Sequence, residues 1–391
     1  MCIRDSDTRI GNLPECGDTD GMIRLTRAVR EAEASRLPAC VDIGEGGTTL
    51  RFGMAACASV PELDITLAGS PKLMQRPHAT LLEALAKLGA ELTPIPEKNA
   101  IRIKGKELDG GEVALDGSVS SQYLSALMLA APVWKTDTVF RLRKPVVSFP
   151  YISMTAGVMR AFGAYTEITD TPDHLEIRVR ATGYPQCARY DVEGDWSGAS
   201  YFFETKLILM HNAQLDETAE IQCPRFSFPT LKAPAESLQG DSRVAAIFAE
   251  ATRRLENKDN SLMEMNLNDA PDLVPAVAVG LCLAEIPFHI GGVAHLRHKE
   301  CDRMDAISTE MRRLGYALEC GDDTMAWVGE KCLPETAPII RTYRDHRMAM
   351  AFAPARLLFP GLRIENPEVV AKSFPRFWQE LEKIDPEIFK F

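Results

Sequence analysis

The chain lacks any stretch long and apolar enough to cross a bilayer. Its longest charge-free apolar run, Leu273 to Ala284, stops at Glu285, well short of the roughly 20 residues a span requires. The opening MCIRDSDTRIGN has neither the apolar centre of a signal peptide nor the Arg/Ser-rich, acid-poor character of a transit segment. No C-x-x-C pair occurs, and the ten cysteines (2, 16, 40, 57, 187, 223, 282, 301, 320, 332) are scattered over the whole length. They read as reduced thiols, which places the protein in the cytoplasm. Basic charge is in deficit: 44 Lys and Arg against 55 Asp and Glu give a net −11. Nucleic acid and anionic membranes are therefore excluded as non-specific partners, and an anionic small ligand would need a local basic site. There is no Pro/Gly/Ser-rich spacer and no low-complexity tract. What remains is an average globular composition, 46% hydrophobic and 25% charged over 391 residues, enough for two or three domains.

One pattern recurs: an amphipathic helix, then Gly, then a short strand. Leu81, Leu82, Leu85 and Leu88 share a face before Gly89. Val158, Met159 and Phe162 precede Gly163, and Ile307, Met311 and Leu314 precede Gly315. The intervals are 74 and 152 residues, so a unit of seventy-odd residues recurs, with Ser242 to Leu255 as the candidate for a degenerate copy between them. Plain helix capping by Gly explains the same pattern without a repeat. AIRIKG, HLEIRVRA and DTVFRLRK read as strands between the helices, and the best boundary lies near Tyr190 to Gly194.

Several segments carry chemistry. DIGEGGTTLRF sets Gly44, Gly46 and Gly47 between a strand and a helix, where backbone N–H groups can approach an anion. It matches neither G-x-x-x-x-G-K-[ST] nor G-x-G-x-x-G, and an ordinary turn fits it as well. Ser118, Ser120, Ser121 and Gln122 precede a helix with apolar Leu124, Leu127 and Met128, as caps or as phosphate donors. In HLRHKECDRM, the flanking Arg297, Lys299 and Arg303 oppose a metal reading of His295, His298 and Cys301. Lys299, Glu300 and Arg303 instead form an anion clamp with an embedded acid, or a solvated charged helix face. RTYRDHRMAMAF gathers Arg341, Arg344 and Arg347 around Asp345 and His346 at the start of an apolar helix, and Lys372 stands beside a Ser-Phe-Pro turn.

Taken together, GEGGTTLR, PKLMQRP, GSVSSQYL, SFPYISMT, EGDWSGASY, NDAPDLVPA, RHKECDR, YRDHRMAMAF and AKSFPRF, in that order, resemble the 3-phosphoshikimate 1-carboxyvinyltransferase (EPSP synthase) family from about Asp7 onward. The resemblance implies an α/β (α+β) protein, a two-domain inverse α/β barrel of repeated βαβαββ units, with domains 1–191 and 192–391 and the active site in the cleft between them. It implies transfer of the enolpyruvyl group of phosphoenolpyruvate to the 5-hydroxyl of shikimate 3-phosphate, by addition and then elimination of phosphate. By position, Ser120, Ser121, Gln122, Ser148, Tyr151, Asp272 and Lys299 match the shikimate 3-phosphate contacts. Gly47, Arg76, Gln122, Arg303, Arg347 and Lys372 match those of phosphoenolpyruvate. Asp272 matches the base, Glu300 the acid that protonates the methylene, and Lys372 also belongs to the catalytic set. The resemblance implies no metal, no organic cofactor and a monomer. Gly47, where a methyl would crowd glyphosate, implies a sensitive-type site. UDP-N-acetylglucosamine 1-carboxyvinyltransferase shares fold and chemistry, but the SSQY and DHRMAM segments favour shikimate 3-phosphate. On this reading five cations (Arg76, Lys299, Arg303, Arg347, Lys372) face two carboxylates, Asp272 and Glu300, and the excess acid lies elsewhere.

Two departures stand out. Cys301 replaces the family's more usual Thr, matching it in size and losing one hydroxyl, a modest change; Arg303 beside it would lower its thiol pKa and make it reactive unless burial opposes this. Family members also open with a strand and a K-S-x-x-x-R motif, whereas nothing of the kind precedes Asp5-Ser6-Asp7-Thr8-Arg9 and Met1 to Asp5 do not match family sequence. The resemblance thus implies a first domain incomplete at its start, with an unpaired sheet edge, that binds anions better than it turns them over. Two charge-assisted hydrogen bonds at roughly 1.5–3 kcal/mol each amount to about two to four decades of rate. Phosphate release from the two substrates is accordingly expected to be slow for the chain as written; turnover at ordinary enzyme rates would show that another segment supplies the missing charges.

Overall fold

Alternation decides the strands. In β5 (Ala100–Lys104) Ala100, Ile101 and Ile103 are buried while Arg102 and Lys104 face water, and in β7 (Thr138–Arg143) Thr138, Phe140 and Leu142 are buried under Arg141 and Arg143. A computed structural model describes residues 8–117, 121–185, 189–215, 228 and 230–389. The chain divides into two compact units, Met1–Val192 and Glu193–Phe391, each with its own hydrophobic core.

The first unit contains β1 (Arg9–Gly11), α1 (Gly17–Ser35), β2 (Ala39–Asp42), α2 (Gly47–Ala58), β3 (Asp64–Ala68), α3 (Pro71–Met74), α4 (Ala79–Lys87), β4 (Glu91–Ile95) and β5. There follow β6 (Gly111–Asp116), α5 (Ser121–Ala130), β7, α6 (Phe149–Ala161), β8 (Thr166–Asp170), β9 (His174–Val179) and β10 (Arg189–Asp191). The second contains α7 (Trp196–Leu215), α8 (Val244–Asn257), β11 (Met263–Asn266), α9 (Val274–Leu283), β12 (Phe288–Gly291), α10 (Arg303–Arg313), β13 (Glu319–Cys320) and β14 (Thr324–Trp327). It ends with β15 (Ile339–Ile340), α11 (His346–Phe352), β16 (Arg363–Ile364) and α12 (Phe377–Glu382).

Three four-stranded sheets have one topology: β2-β3-β5-β4, β6-β7-β9-β8 and β11-β12-β14-β13. In each, the first two strands are parallel and the last two form an antiparallel hairpin. Each is a βαβαββ unit. β1 pairs parallel with β10, and β15 with β16. Among the described residues no sheet closes into a barrel; each stays open, so barrel describes the arrangement only loosely.

Helix composition fits the two roles within a unit. The first helix is largely buried, and in α9 every residue is buried and apolar, as a helix surrounded by protein on all sides must be. The 273–284 run that is too short to span a membrane is this core helix. The second helix is amphipathic and ends in a left-handed residue, Gly89, Gly163 or Gly315 at φ +90°, +84° and +93°, a conformation that costs a side-chain-bearing residue about 1 kcal/mol or more. The hairpin then follows. Charge is kept on the outer sheet faces, where Arg141 bridges Glu112 at 2.8 Å and Glu176 at 3.1 Å.

The repeat is clearest at the strand that opens each unit: Ala39, Gly111, Arg189, Met263 and Ile339 follow at roughly 75-residue intervals. The degenerate copy thus begins with β10 and α7. Ser242 to Leu255 falls on its second helix, α8, which ends on a left-handed Lys258 in place of Gly and leads directly into β11, the first strand of the next unit. No hairpin separates them.

Candidate active site

Nearly every residue singled out above lies where a strand of the βαβαββ pattern hands over to the next helix. That is where helix N–H groups and dipoles favour anions. In the first unit, Asp42 accepts the Gly44 N–H at 2.8 Å and Gly46 caps α2, so Gly47 is its first residue. A Cβ on Gly47 would lie 3.2 Å from Arg76 Nη1 and 3.3 Å from Arg51 Nη1. Glycine is what lets two guanidinium groups close on this backbone. Arg51 Nη1 donates to Gln122 Oε1, Gln122 Nε2 donates to Thr48 Oγ1 at 3.3 Å, and the Arg51 guanidinium lies 5.3 Å from the centre of the Tyr123 ring. Gly47, Arg76 and Gln122 are thereby brought together, with Ser121 next to Gln122 as the first residue of α5. Ser148, at φ +54°, caps α6 and Tyr151 is in its first turn; α6 meets α5 through Ser125 and Thr155 at 2.7 Å. Ser118 and Ser120 lie outside the described residues. Arg51 belongs to the GEGGTTLR segment, but nothing in the sequence distinguishes it from a solvated helix arginine.

In the second unit Arg303, first residue of α10, is 1% exposed. Its Nε donates to Asp345 Oδ2 at 2.7 Å, its Nη1 to Asp272 Oδ1 at 3.1 Å and its Nη2 to Glu300 Oε2 at 2.9 Å. Lys372 Nζ reaches Glu300 Oε1 at 2.6 Å, Arg347 Nη2 reaches Asp272 Oδ2 at 2.9 Å, and Lys299 Nζ stands 3.9 Å from Asp272. Asp272, Lys299, Glu300, Arg303, Arg347 and Lys372 thus form one network. Sequence missed its third carboxylate: Asp345, fully buried, is also the N-cap of α11, accepting the Arg347 N–H at 2.9 Å. Four cations face three carboxylates here, not two. Arg341 and Arg344 point to solvent.

Charge states follow from competing terms. Burial alone would raise the Glu300 carboxyl, but Arg303 and Lys372 override it and hold it well below the usual range. Burial would likewise raise Asp345, and Arg303 overrides it. His346, buried beside Arg347, is pushed down to about 3 and stays neutral. Cys301 reverses its expectation: burial, then Asp345 at 3.7 Å from its Sγ, push the thiol up to about 12 despite Arg303. It is held as the protonated thiol. Among the described residues no group of three or more His, Cys, Asp or Glu could hold a metal ion; burial and Lys299 push His295 down to about 4.

Behind the network, at the start of α7, Asp195 accepts the N–H groups of Ser197 and Gly198, each at 3.0 Å, and the Ser197 hydroxyl donates to Asp241. Burial raises both carboxyls, Asp241 to about 7 with help from nearby Asp272.

The fold resembles those of solved enolpyruvyl transferases. EPSP synthase from Acinetobacter baumannii matches with a TM-score of 0.64 at 19% identity, over 96% of this chain and 89% of that one. The enolpyruvyl transferase NikO from Streptomyces tendae matches with a TM-score of 0.60 at 14% identity, over 96% and 88%. Sequence narrows the class. The family model for EPSP synthase (3-phosphoshikimate 1-carboxyvinyltransferase) matches residues 3–381. The 3-phosphoshikimate 1-carboxyvinyltransferase of Bacteroides fragilis is 38% identical over 386 residues, 95% of this chain and 88% of that protein. That of Photobacterium damsela subsp. piscicida is 32% identical over 358 residues, 88% and 79%. The chain belongs to the EPSP synthase family.

The raised Asp241 has a stability consequence. Its folded pKa, about 7, exceeds the unfolded value of about 3.9, so its contribution is fully present below about pH 4 and is lost as pH rises through 7. Asp241→Asn, which keeps the neutral shape, is expected to gain about 2–4 kcal/mol on the parent between about pH 4 and pH 8. Urea denaturation at the two pH values measures it; an equal difference at both would contradict the assignment.

Proposed function

We propose that the protein transfers the enolpyruvyl group of phosphoenolpyruvate to the 5-hydroxyl of shikimate 3-phosphate and releases phosphate. The observation that carries this reading is that one buried guanidinium, Arg303, holds two carboxylates on separate N–H donors, Asp272 at 3.1 Å and Glu300 at 2.9 Å. A base and an acid are fixed at short range. In the addition step Glu300 gives its proton to the phosphoenolpyruvate methylene carbon, positive charge develops at C2, and the 5-hydroxyl oxygen attacks C2 as Asp272 takes its proton. In the elimination step Glu300, left as a carboxylate, takes a proton back from the new methyl group, the C–O bond to phosphate breaks, and the enol ether and inorganic phosphate form.

Glu300 is ionised in the network described above, so it must first take up a proton. The physical route is competition: a ligand bearing carboxylate and phosphate draws on Lys372 and Arg303, weakening the charges that hold Glu300 down. Guanidinium forks suit those groups. We assign Gly47, Arg76, Gln122, Arg303, Arg347 and Lys372 to phosphoenolpyruvate, and Ser120, Ser121, Gln122, Ser148, Tyr151, Asp272 and Lys299 to shikimate 3-phosphate. Arg51, beside Gly47 and Gln122, joins the first set. The glyphosate-sensitive reading of Gly47 rests on the family resemblance, and an inhibition curve flat to high glyphosate would contradict it. The curated relatives carry the shikimate name, so the UDP-N-acetylglucosamine reaction is not favoured. We also place the protein in the cytoplasm as a monomer, acting with neither metal nor organic cofactor; among the described residues no helix is long and apolar enough to cross a membrane.

Phosphate release requiring both compounds, with UDP-N-acetylglucosamine inert, is the expected result. Asp272→Asn and Glu300→Gln should each lower kcat by about two to four decades. Full turnover in either variant would overturn the assignment.

A further inference from the structure

Two consecutive non-glycine residues, Tyr343 and Arg344, stand in the left-handed region at φ +53° and +58°, immediately before Asp345. The Asp345 N–H closes back on Thr342 O at 2.8 Å. This is the pattern of a turn whose two central positions normally take Asn and Gly, built here from Tyr and Arg. Such a turn persists only when its surroundings over-determine it. It also aims Asp345 at Arg303.

The surroundings point to one side chain. Glu310, fully buried on α10, accepts the Arg341 N–H at 3.1 Å and the Tyr343 O–H at 2.8 Å, while Arg313 Nε lies 3.1 Å away as its counter-charge. Glu310 follows Arg303 by two helical turns, on the same face. α10 therefore grips the 341–345 segment at both ends, through Glu310 on Arg341 and Tyr343 and through Arg303 on Asp345. Mechanism has no other use for Glu310: it reaches neither Asp272 nor the cations around it among the described contacts.

We infer that Glu310 is a positioning residue for the enolpyruvyl transfer, holding the left-handed Tyr343–Arg344 turn so that Asp345 stays on Arg303 and Arg303 stays on Asp272 and Glu300. The catalytic half of this statement rests on the function proposed above; the geometric half does not. A reporter of the geometry is built in, because Cys301 Sγ lies 3.7 Å from Asp345 and is kept protonated partly by it. When Asp345 leaves, the thiolate fraction of Cys301 rises, about tenfold for each pKa unit lost. Cys282, fully buried on α9 of the same unit, reports general loosening instead.

The test is peptide-resolved iodoacetamide labelling of the full chain at mildly alkaline pH, with kcat and KM measured in parallel. Glu310→Ala should speed Cys301 labelling about tenfold or more and leave Cys282 unchanged. Glu310→Gln, which keeps an acceptor for Tyr343, should stay within about threefold of the parent. Arg344→Gly, by removing the backbone strain, should shrink the effect of Glu310→Ala in the double variant, a coupling that a purely structural role does not produce. Unchanged Cys301 labelling, or Cys301 and Cys282 rising together, overturns the inference. Should Glu310→Ala not fold, Tyr343→Phe removes one of the bonds and gives the same comparison. In active protein kcat should fall with the labelling order while KM changes little. A parent that does not turn over both substrates contradicts the proposed function, while the labelling rates still decide whether Glu310 holds Asp345 in place.

Discussion

A guanidinium with almost no solvent contact must be surrounded by negative charge or it will not be there. Arg303 has three carboxylates, and everything else in the second unit's site is fixed by that requirement. Removing one partner of such a buried pair typically costs about 3–5 kcal/mol because the other charge stays behind unpaired. Asp345 has no exposure at all, so its place is tied to Arg303. Asp272 and Glu300 are each partly exposed and each shared with a second cation, Arg347 or Lys372. On the function proposed above, those two exchange partners with a ligand while Asp345 stays on Arg303. The division between a fixed counter-ion and two exchangeable ones lets a cation-rich site exist in a chain of net charge −11 without filling itself in.

The fold supplies the ends on which this network is mounted. Asp195, Asp272, Arg303 and Asp345 all stand at the N-termini of helices that follow strands, as do Gly47, Ser121 and Ser148 in the first unit. Repetition of one βαβαββ pattern delivers the same kind of site several times, each with orphan N–H groups and a dipole favouring anions. Sequence then specialises each end, by deleting a side chain at Gly47, placing an amide at Gln122, or adding a buried carboxylate where a cation must be held.

Local chemistry was legible in the sequence and long-range pairing was not. Gly89, Gly163 and Gly315 marked helix ends correctly because a left-handed residue after an amphipathic run is a local demand. The 273–284 run could be told from a membrane span by length alone. The copy of the repeat beginning at Arg189 showed in the sequence only through Ser242 to Leu255, because its second helix ends on Lys258 in place of Gly, with no hairpin behind it. Motif order picked out the residues that form the charged network of the second unit, yet Asp345 looked like an ordinary acid among arginines: its partner Arg303 is 42 positions away, and nothing local announces that both are buried. Cys301 failed for the same reason. Adjacent Arg303 argued for a reactive thiol, and only the folded arrangement shows Asp345 and burial prevailing.

On the function proposed above, chemistry at this site turns on Glu300 being held ionised by Arg303 and Lys372 until a phosphate-bearing ligand competes for them. A carbon-13 NMR titration of the Glu300 carboxyl, assigned by loss of its signal in Glu300→Gln, follows that charge state directly. Without ligand the signal should remain that of a carboxylate well below the ordinary titration range, and with phosphoenolpyruvate its midpoint should move upward. An ordinary glutamate midpoint, unchanged by phosphoenolpyruvate, would show that Arg303 and Lys372 do not control the proton on Glu300.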